Sequence, residues 1–163
     1  MKYCPECASK LEDKFIDGCE RRACHAPGCG FVYWNNPLPV VAAIVQHQNN
    51  IILARNVKWP SGLFSLITGF LERQETPEQA VIREVQEELG LDAQIGGFIG
   101  HYSFFKMNQL ILAFWVTATG TLKMGDEIAE VESVSRENLK PERFSELPLT
   151  AAIVKDWLVQ TTT

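Results

Sequence analysis

The sequence predicts a mixed α/β or α+β sandwich preceded by a small cysteine-bearing module, and three observations carry that reading. Short runs rich in β-branched residues alternate with two segments of helical character, all five cysteines fall within the first 34 residues, and 46% of the 163 residues are hydrophobic. A chain of this length buries about two-thirds of its unfolded surface without help from disulfides. With 15 basic against 20 acidic residues and a net charge of −5, a dedicated duplex-binding protein is disfavoured.

Taken in order, residues 1–34 hold few large apolar side chains and balanced charge, so no hydrophobic core of their own is expected. Cys4-Pro5-Glu6-Cys7 and Cys24-His25-Ala26-Pro27-Gly28-Cys29 are two close pairs. The N-terminus lacks the apolar stretch of a signal peptide, so metal ligation explains these pairs better than a disulfide framework. Four thiolates suit a closed, structural Zn²⁺ site formed by Cys4, Cys7, Cys24 and Cys29, with His25 and Cys19 as alternative ligands and Gly30 easing the turn after Cys29. The longest apolar run, Leu110 to Val116, is far short of the roughly 20 residues of a bilayer span. No membrane span is therefore expected, and the protein is read as cytoplasmic.

Asn35-Asn36-Pro37-Leu38-Pro39 marks a boundary between residues 1–34 and 35–163, because two prolines disfavour regular structure there. Val40–Val45 and Ile51–Ala54 read as a hairpin, and Phe64 to Ile67 as a further short strand. Thr76-Pro77-Glu78-Gln79 supplies an N-cap, a proline at the first helical position and a capping box, so a helix should run from Pro77 to about Leu89, where Gly90 stops it. Gln94 to Tyr102 holds a strand that Gly96, Gly97 and Gly100 interrupt, and Leu110 to Ala118 is a buried strand. A second helix spans Leu149 to Val159 with an apolar stripe of Leu149, Ala152, Ile153 and Trp157, and the tail Thr161-Thr162-Thr163 is expected to be disordered.

On the first helix Glu84, Glu87 and Glu88 stand at i, i+3 and i+4, crowding three carboxylates onto one face while Val81, Val85 and Leu89 face the core. Like charges at this spacing repel, which calls for a cation, and a hard divalent ion that also bridges to phosphates suits carboxylate oxygens.

These glutamates belong to a longer pattern. Gly69-Phe70-Leu71-Glu72-Arg73-Gln74-Glu75, seven further residues, then Arg83-Glu84-Val85-Gln86-Glu87-Glu88-Leu89-Gly90-Leu91 matches G-x5-E-x7-R-E-U-x-E-E-x-G-U without a gap, U being a bulky aliphatic residue. At average residue frequencies a chance match is on the order of one in a million. By this run the chain resembles the Nudix hydrolases, and the wider pattern extends over about Pro39 to Trp157.

The resemblance implies an α/β/α sandwich whose box surrounds Mg²⁺ or Mn²⁺, and hydrolysis of a nucleoside diphosphate linked to a second group by metal-activated water. It implies that Glu84, Glu87 and Glu88 ligate metal or orient the water, that Arg83 pairs with Glu75, and that Gly69 turns the chain and lends a carbonyl. A later glutamate often joins the metal cluster. In Gly125–Glu132, by composition an exposed acidic loop, Glu130 matches best and Glu127 second, although Ser133-Val134 stands where the family usually has Trp-Phe. Thr68 likewise replaces the small residue that often precedes the box.

A zinc ribbon joined to such a domain resembles the NADH pyrophosphatase group and a related group acting on ADP-ribose or FAD. The S-Q-P-W-P-F-P motif of the former is absent, and His101–Leu110 stands in its place. There Phe104 and Lys106 are candidates to stack on a base and meet a phosphate, and Arg55 after the hairpin is a third substrate-binding candidate. The resulting expectation is hydrolysis of a small nucleotide substrate such as ADP-ribose, FAD or NAD(H), in a homodimer. The rival readings are a nucleotide sensor without turnover and an RNA-binding module acting on NAD-capped RNA, for which Arg21-Arg22 in the ribbon leaves room.

Overall fold

The structure, a computed structural model, describes residues 1–161, which divide into two compact units after Asn36. Within the first unit, strand β1 (Leu11–Ile16) turns through Asp17 and Gly18, both at positive φ, into antiparallel β2 (Cys19–Cys24), and β3 (Val32–Tyr33) pairs with β2. Charged residues along both long strands conceal them from a hydrophobic pattern. A core does exist here, contrary to expectation, because cysteines build it: Cys4, Leu11 and Cys24 are buried, with Ala26, Cys29, Phe31 and Tyr33 packed against them.

In the second unit the hairpin is longer than its apolar runs. Strands β4 (Leu38–His47) and β5 (Asn50–Asn56) join through Gln48 and Asn49, whose φ values of 49° and 68° are what a two-residue hairpin turn of the type I′ kind requires. β4 starts at Leu38 despite the flanking prolines, because its whole length pairs in parallel with β8 (Gln109–Thr119), from Leu38 opposite Gln109 to His47 opposite Ala118. β6 (Ile67–Phe70) begins only at the last residue of the apolar run that suggested it, three residues later than expected, since pairing with β4 rather than hydrophobicity decides where it begins. Among the described residues the sheet runs β7-β8-β4-β5-β9, with β6 added on β4; β7 is Asp92–Phe104 and β9 Ile128–Ser135.

Two further expectations change. β7 is continuous: its glycines shift the register after Ile95 and Phe98 instead of ending the strand, and they make room for Trp115, whose ring would lie 2.3 Å from a Cβ at Gly96. The segment expected as an acidic loop becomes edge strand β9 from Ile128 onward, antiparallel to β5.

Helix α1 (Pro77–Leu89) has the Thr76–Gln79 capping box and a left-handed Gly90 at its end. Helix α2 (Pro148–Gln160) buries Thr150, Ile153, Val154 and Trp157, a stripe rotated from the expected one, with Ala152 only half-buried. Thr150 is tolerated inside because its hydroxyl meets the Ser65 hydroxyl at 2.9 Å. The helices cover opposite faces of the sheet. Val40, Ala42 and Ile44 of β4 pack in one cluster with Ile153, Val154 and Trp157, while Val41, Ala43 and Val45 pack in another with Val81, Val85 and Leu89. The fold is an α/β/α sandwich, and each fully buried aliphatic side chain contributes roughly 1.5–3 kcal/mol.

Of the threonine tail, residues 162–163 lie outside the described residues, whereas Thr161 caps α2 through its amide and hydroxyl on Trp157 O, at 3.1 and 2.7 Å. Among the described residues no helix is long and apolar enough to cross a membrane.

Candidate functional site

The site starts with α1, whose caps fix the phase of the helix and turn the face carrying Glu84, Glu87 and Glu88 toward β6. Gly69 on β6 is needed for close approach: a Cβ there would fall 1.9 Å from the Glu84 carboxyl. Arg83 binds the surrounding acids with its whole guanidinium. Nε and Nη2 donate to the two oxygens of Glu75 at 2.8 and 3.0 Å, Nη1 to Glu84 at 2.6 Å and Glu87 at 3.0 Å, and Nη2 also to Phe70 O at 3.0 Å.

A third segment closes the site from the helix end. Lys123 and Gly125 donate their amides to Leu89 O and Glu88 O, at 2.8 and 2.9 Å, satisfying carbonyls that the end of α1 leaves free. Only glycine fits at 125, because a Cβ would stand 2.3 Å from the Glu87 carbonyl oxygen. This docking brings Asp126 and Glu127 beside the helix. The resulting open cleft, about 650 Å³, is lined by Gly69, Glu72, Arg83, Glu84, Glu87, Glu88, Asp126 and Glu127 together with Val40, Lys58, Thr68, Phe70 and Gln109.

The electrostatics set the acids apart. The Arg83 hydrogen bond holds Glu75 below its ordinary pKa. At Glu84, burial outweighs Arg83 and pushes the pKa up. Burial, reinforced by the charges of Glu84, Glu127 and Glu87, raises Glu88 to about 8. Among the described residues Glu88 has no ion pair. Carboxyls raised by burial and by one another are the condition that a hard divalent cation relieves, so this donor set fits Mg²⁺ or Mn²⁺.

The structure does not gather every residue singled out in the sequence. Glu130 sits on β9 beside Arg55 and is bound to it at 3.1 Å, outside the cleft, whereas Glu127 lines it. Arg55 also donates to Trp59 O at 3.0 Å and does not line the cleft. Phe104 packs at the edge of the core beneath α2, and Lys106 stands exposed on the turn after β7; neither lines the cleft. Sequence reasoning missed Lys58, Gln109 and Asp126, which no motif marks and which tertiary contacts alone bring to the cleft.

In the first unit, turns at Ala8 and Gly28, both at positive φ, fold the cysteine pairs back, Gly28 taking the role expected of Gly30. The Cys4, Cys7, Cys24 and Cys29 sulfurs all lie within 4.8 Å of one another, Cys4 to Cys29 at 3.6 Å and Cys7 to Cys24 at 3.4 Å. Tetrahedral zinc with sulfur at about 2.3 Å needs S···S edges near 3.8 Å, so the cluster fits such an ion. Hydrogen bonds from Ser9 lower Cys7 to about 6, making it the readiest thiolate. His25 and Cys19, both exposed, are not in the cluster.

Comparison with known proteins agrees with this geometry. The NUDIX domain family matches residues 36–153. The NAD-capped RNA hydrolase NudC of Vibrio atlanticus is 31% identical over 124 residues, 76% of this chain and 45% of that protein. That of Vibrio vulnificus is 28% identical over 143 residues, 86% and 53%. The chain thus spans about half the length of the curated relatives it matches. A NUDIX hydrolase from Nitrosomonas europaea has a TM-score of 0.84 at 23% identity, covering 99% of this chain and 93% of that one. An ADP-ribose pyrophosphatase from Streptococcus suis has a TM-score of 0.63 at 20% identity, covering 78% and 94%.

Proposed function

The chain belongs to the Nudix hydrolase family, and from that premise we propose that it cleaves the pyrophosphate bond of a dinucleotide or nucleotide sugar of the ADP-ribose, FAD or NAD(H) class. The observation that carries this reading is the convergence of Glu84, Glu87, Glu88 and Glu127 from two segments onto one open cleft. These carboxylates, with the Gly69 carbonyl, are the groups that would hold Mg²⁺ or Mn²⁺; Glu127 replaces Glu130 in that role. When bound, such an ion neutralises the diphosphate and lowers the pKa of water. Arg83 braces Glu75, Glu84 and Glu87 and so fixes the acids against their mutual repulsion. Water oxygen attacks one phosphorus, the bridging P–O bond breaks, two monophosphates leave, and the proton of the attacking water passes to a cleft carboxylate.

Similarity to the NAD-capped RNA hydrolases supports the NAD end of this class, and the Streptococcus suis ADP-ribose pyrophosphatase is an instance of the same fold at the ADP-ribose end. The small-molecule reading is favoured over capped RNA because the ribbon arginines are engaged internally. Arg21 donates to Trp34 O at 3.2 Å and stacks 4.7 Å over the Trp34 ring, and Arg22 donates to Met1 O at 3.0 Å and pairs with Asp13. The four thiols are assigned to structural Zn²⁺, in a ribbon of residues 1–34 preceding the Nudix domain of 35–163.

A chromatographic product assay with Mg²⁺ over ADP-ribose, FAD, NADH, NAD⁺ and NAD-capped RNA tests the proposal. AMP released from a dinucleotide or nucleotide sugar, and lost in Glu84→Gln/Glu88→Gln, is the expected result. A folded protein that cleaves none of them would remove the hydrolase reading, and preference for the capped RNA would replace the small-molecule one.

A further inference from the structure

We propose that Lys58, on the loop after β5, binds the diphosphate of the substrate, an inference that rests on the hydrolase reading above. The cleft poses an electrostatic problem. Its lining carries Glu72, Glu84, Glu87, Glu88, Asp126 and Glu127, against Lys58 and Arg83 as its basic side chains. A diphosphate approaching this lining is repelled by acids that one divalent ion cannot neutralise alone.

Arg83 is not available to help. A guanidinium has five N–H donors, and those of Arg83 go to Glu75 twice, to Glu84, to Glu87 and to Phe70 O. The other basic candidates near the hairpins are elsewhere: Arg55 is tied to Glu130 and Trp59 O, and Lys106 does not line the cleft. Lys58 does line it, is exposed, and among the described residues its ammonium forms no ion pair.

The loop that carries Lys58 is fixed to the glutamate segment itself. Val57 N donates to Glu127 O at 2.9 Å, Asn56 Nδ2 to Glu127 Oε2 at 3.4 Å, and Asn56 Oδ1 accepts from Lys58 N at 3.0 Å. Trp59 N closes the turn on Asn56 O at 3.0 Å. The backbone of Lys58 is therefore held in place relative to Glu127, while its side chain is free to meet a mobile anion. A flexible point charge beside a metal-holding acid suits a diphosphate whose bridging bond must be positioned and then released.

The test compares wild type with Lys58→Ala and Lys58→Arg, reading KM and kcat on the dinucleotide that is cleaved fastest, and ADP binding by calorimetry with Mg²⁺. Lys58→Ala is expected to raise KM and weaken ADP binding about tenfold, the scale of one charge-assisted contact, with a smaller change in kcat; Lys58→Arg keeps both within about threefold. KM and ADP affinity unchanged in a folded Lys58→Ala variant would overturn the assignment. So would equal losses in both variants, which would point to loop packing, or a fall in kcat at constant KM. If wild type cleaves nothing, the hydrolase reading has failed, and the ADP titrations still judge Lys58 separately.

Discussion

In the thiol cluster four sulfur atoms lie within 4.8 Å of one another, whereas in the cleft the carboxylates of Glu84 and Glu87 are both tied to Nη1 of Arg83. The difference follows from charge. A thiol cluster in which Cys7 is the ready thiolate carries little charge and is held by S···S contacts of 3.4 and 3.6 Å, so two short turns suffice to collect it. Unit charges 4 Å apart at an effective dielectric of 20 repel by about 4 kcal/mol, so acids can be concentrated only around a resident cation. Arg83 serves as that scaffold, while Glu88, among the described residues, forms no ion pair and the cleft stays open on its solvent side. A closed set of four ligands suits a structural ion, and an open set braced by arginine suits one that must also meet substrate.

The largest effect expected from breaking this contrast is on the acidic side. Glu88→Gln should lower turnover by roughly 10²–10⁴-fold while the protein stays folded, as steady-state kinetics and circular dichroism would show. On the thiol side, Cys24→Ser should reduce zinc content from about one ion per chain to well under one, whereas Cys19→Ser should leave it unchanged; elemental analysis decides. Zinc lost from both variants alike would dissolve the distinction between ligand and bystander cysteine.

Gly69→Ala sharpens the comparison from the backbone. Its methyl group would displace the Glu84 carboxyl, so Mg²⁺ dependence should weaken by about 10–100-fold with little change in folding, read from activation curves. The smallest effect concerns pH. Without metal, Glu88 is raised to about 8 in the folded state from an ordinary value of 4.5, so the folded protein binds the extra proton between those limits. Stability of the metal-free protein should therefore fall as pH rises through that window, and Glu88→Gln should flatten the slope; equal slopes in denaturant titrations would contradict it.

The legible parts of the molecule are those whose contacts are local in sequence. Thr76, Gln79 and Gly90 fix both ends of α1 through bonds spanning three or four residues, so the helix and the common face of Glu84, Glu87 and Glu88 follow from spacing alone. The cysteine pairs are likewise close along the chain and declare their chemistry by residue type. By contrast, β9 looked like an acidic loop because its strand character depends on pairing with β5, and the β7 glycines looked like breaks because Trp115 lies on a different strand.

Residue chemistry and short-range spacing thus determined the family box, the glutamate helix and the membership of the thiol cluster from the sequence by itself. Only the tertiary structure decided that Glu127 rather than Glu130 reaches the cleft, that Arg55 is occupied at Glu130, and that Lys58 stands beside the acids. Those outcomes rest on a one-residue shift in register between Arg55 and Asn56 and on amides of residues 123 and 125 meeting the end of α1. Both depend on segments tens of residues apart, whose pairing is set by the packing of the whole sheet and not by any local propensity.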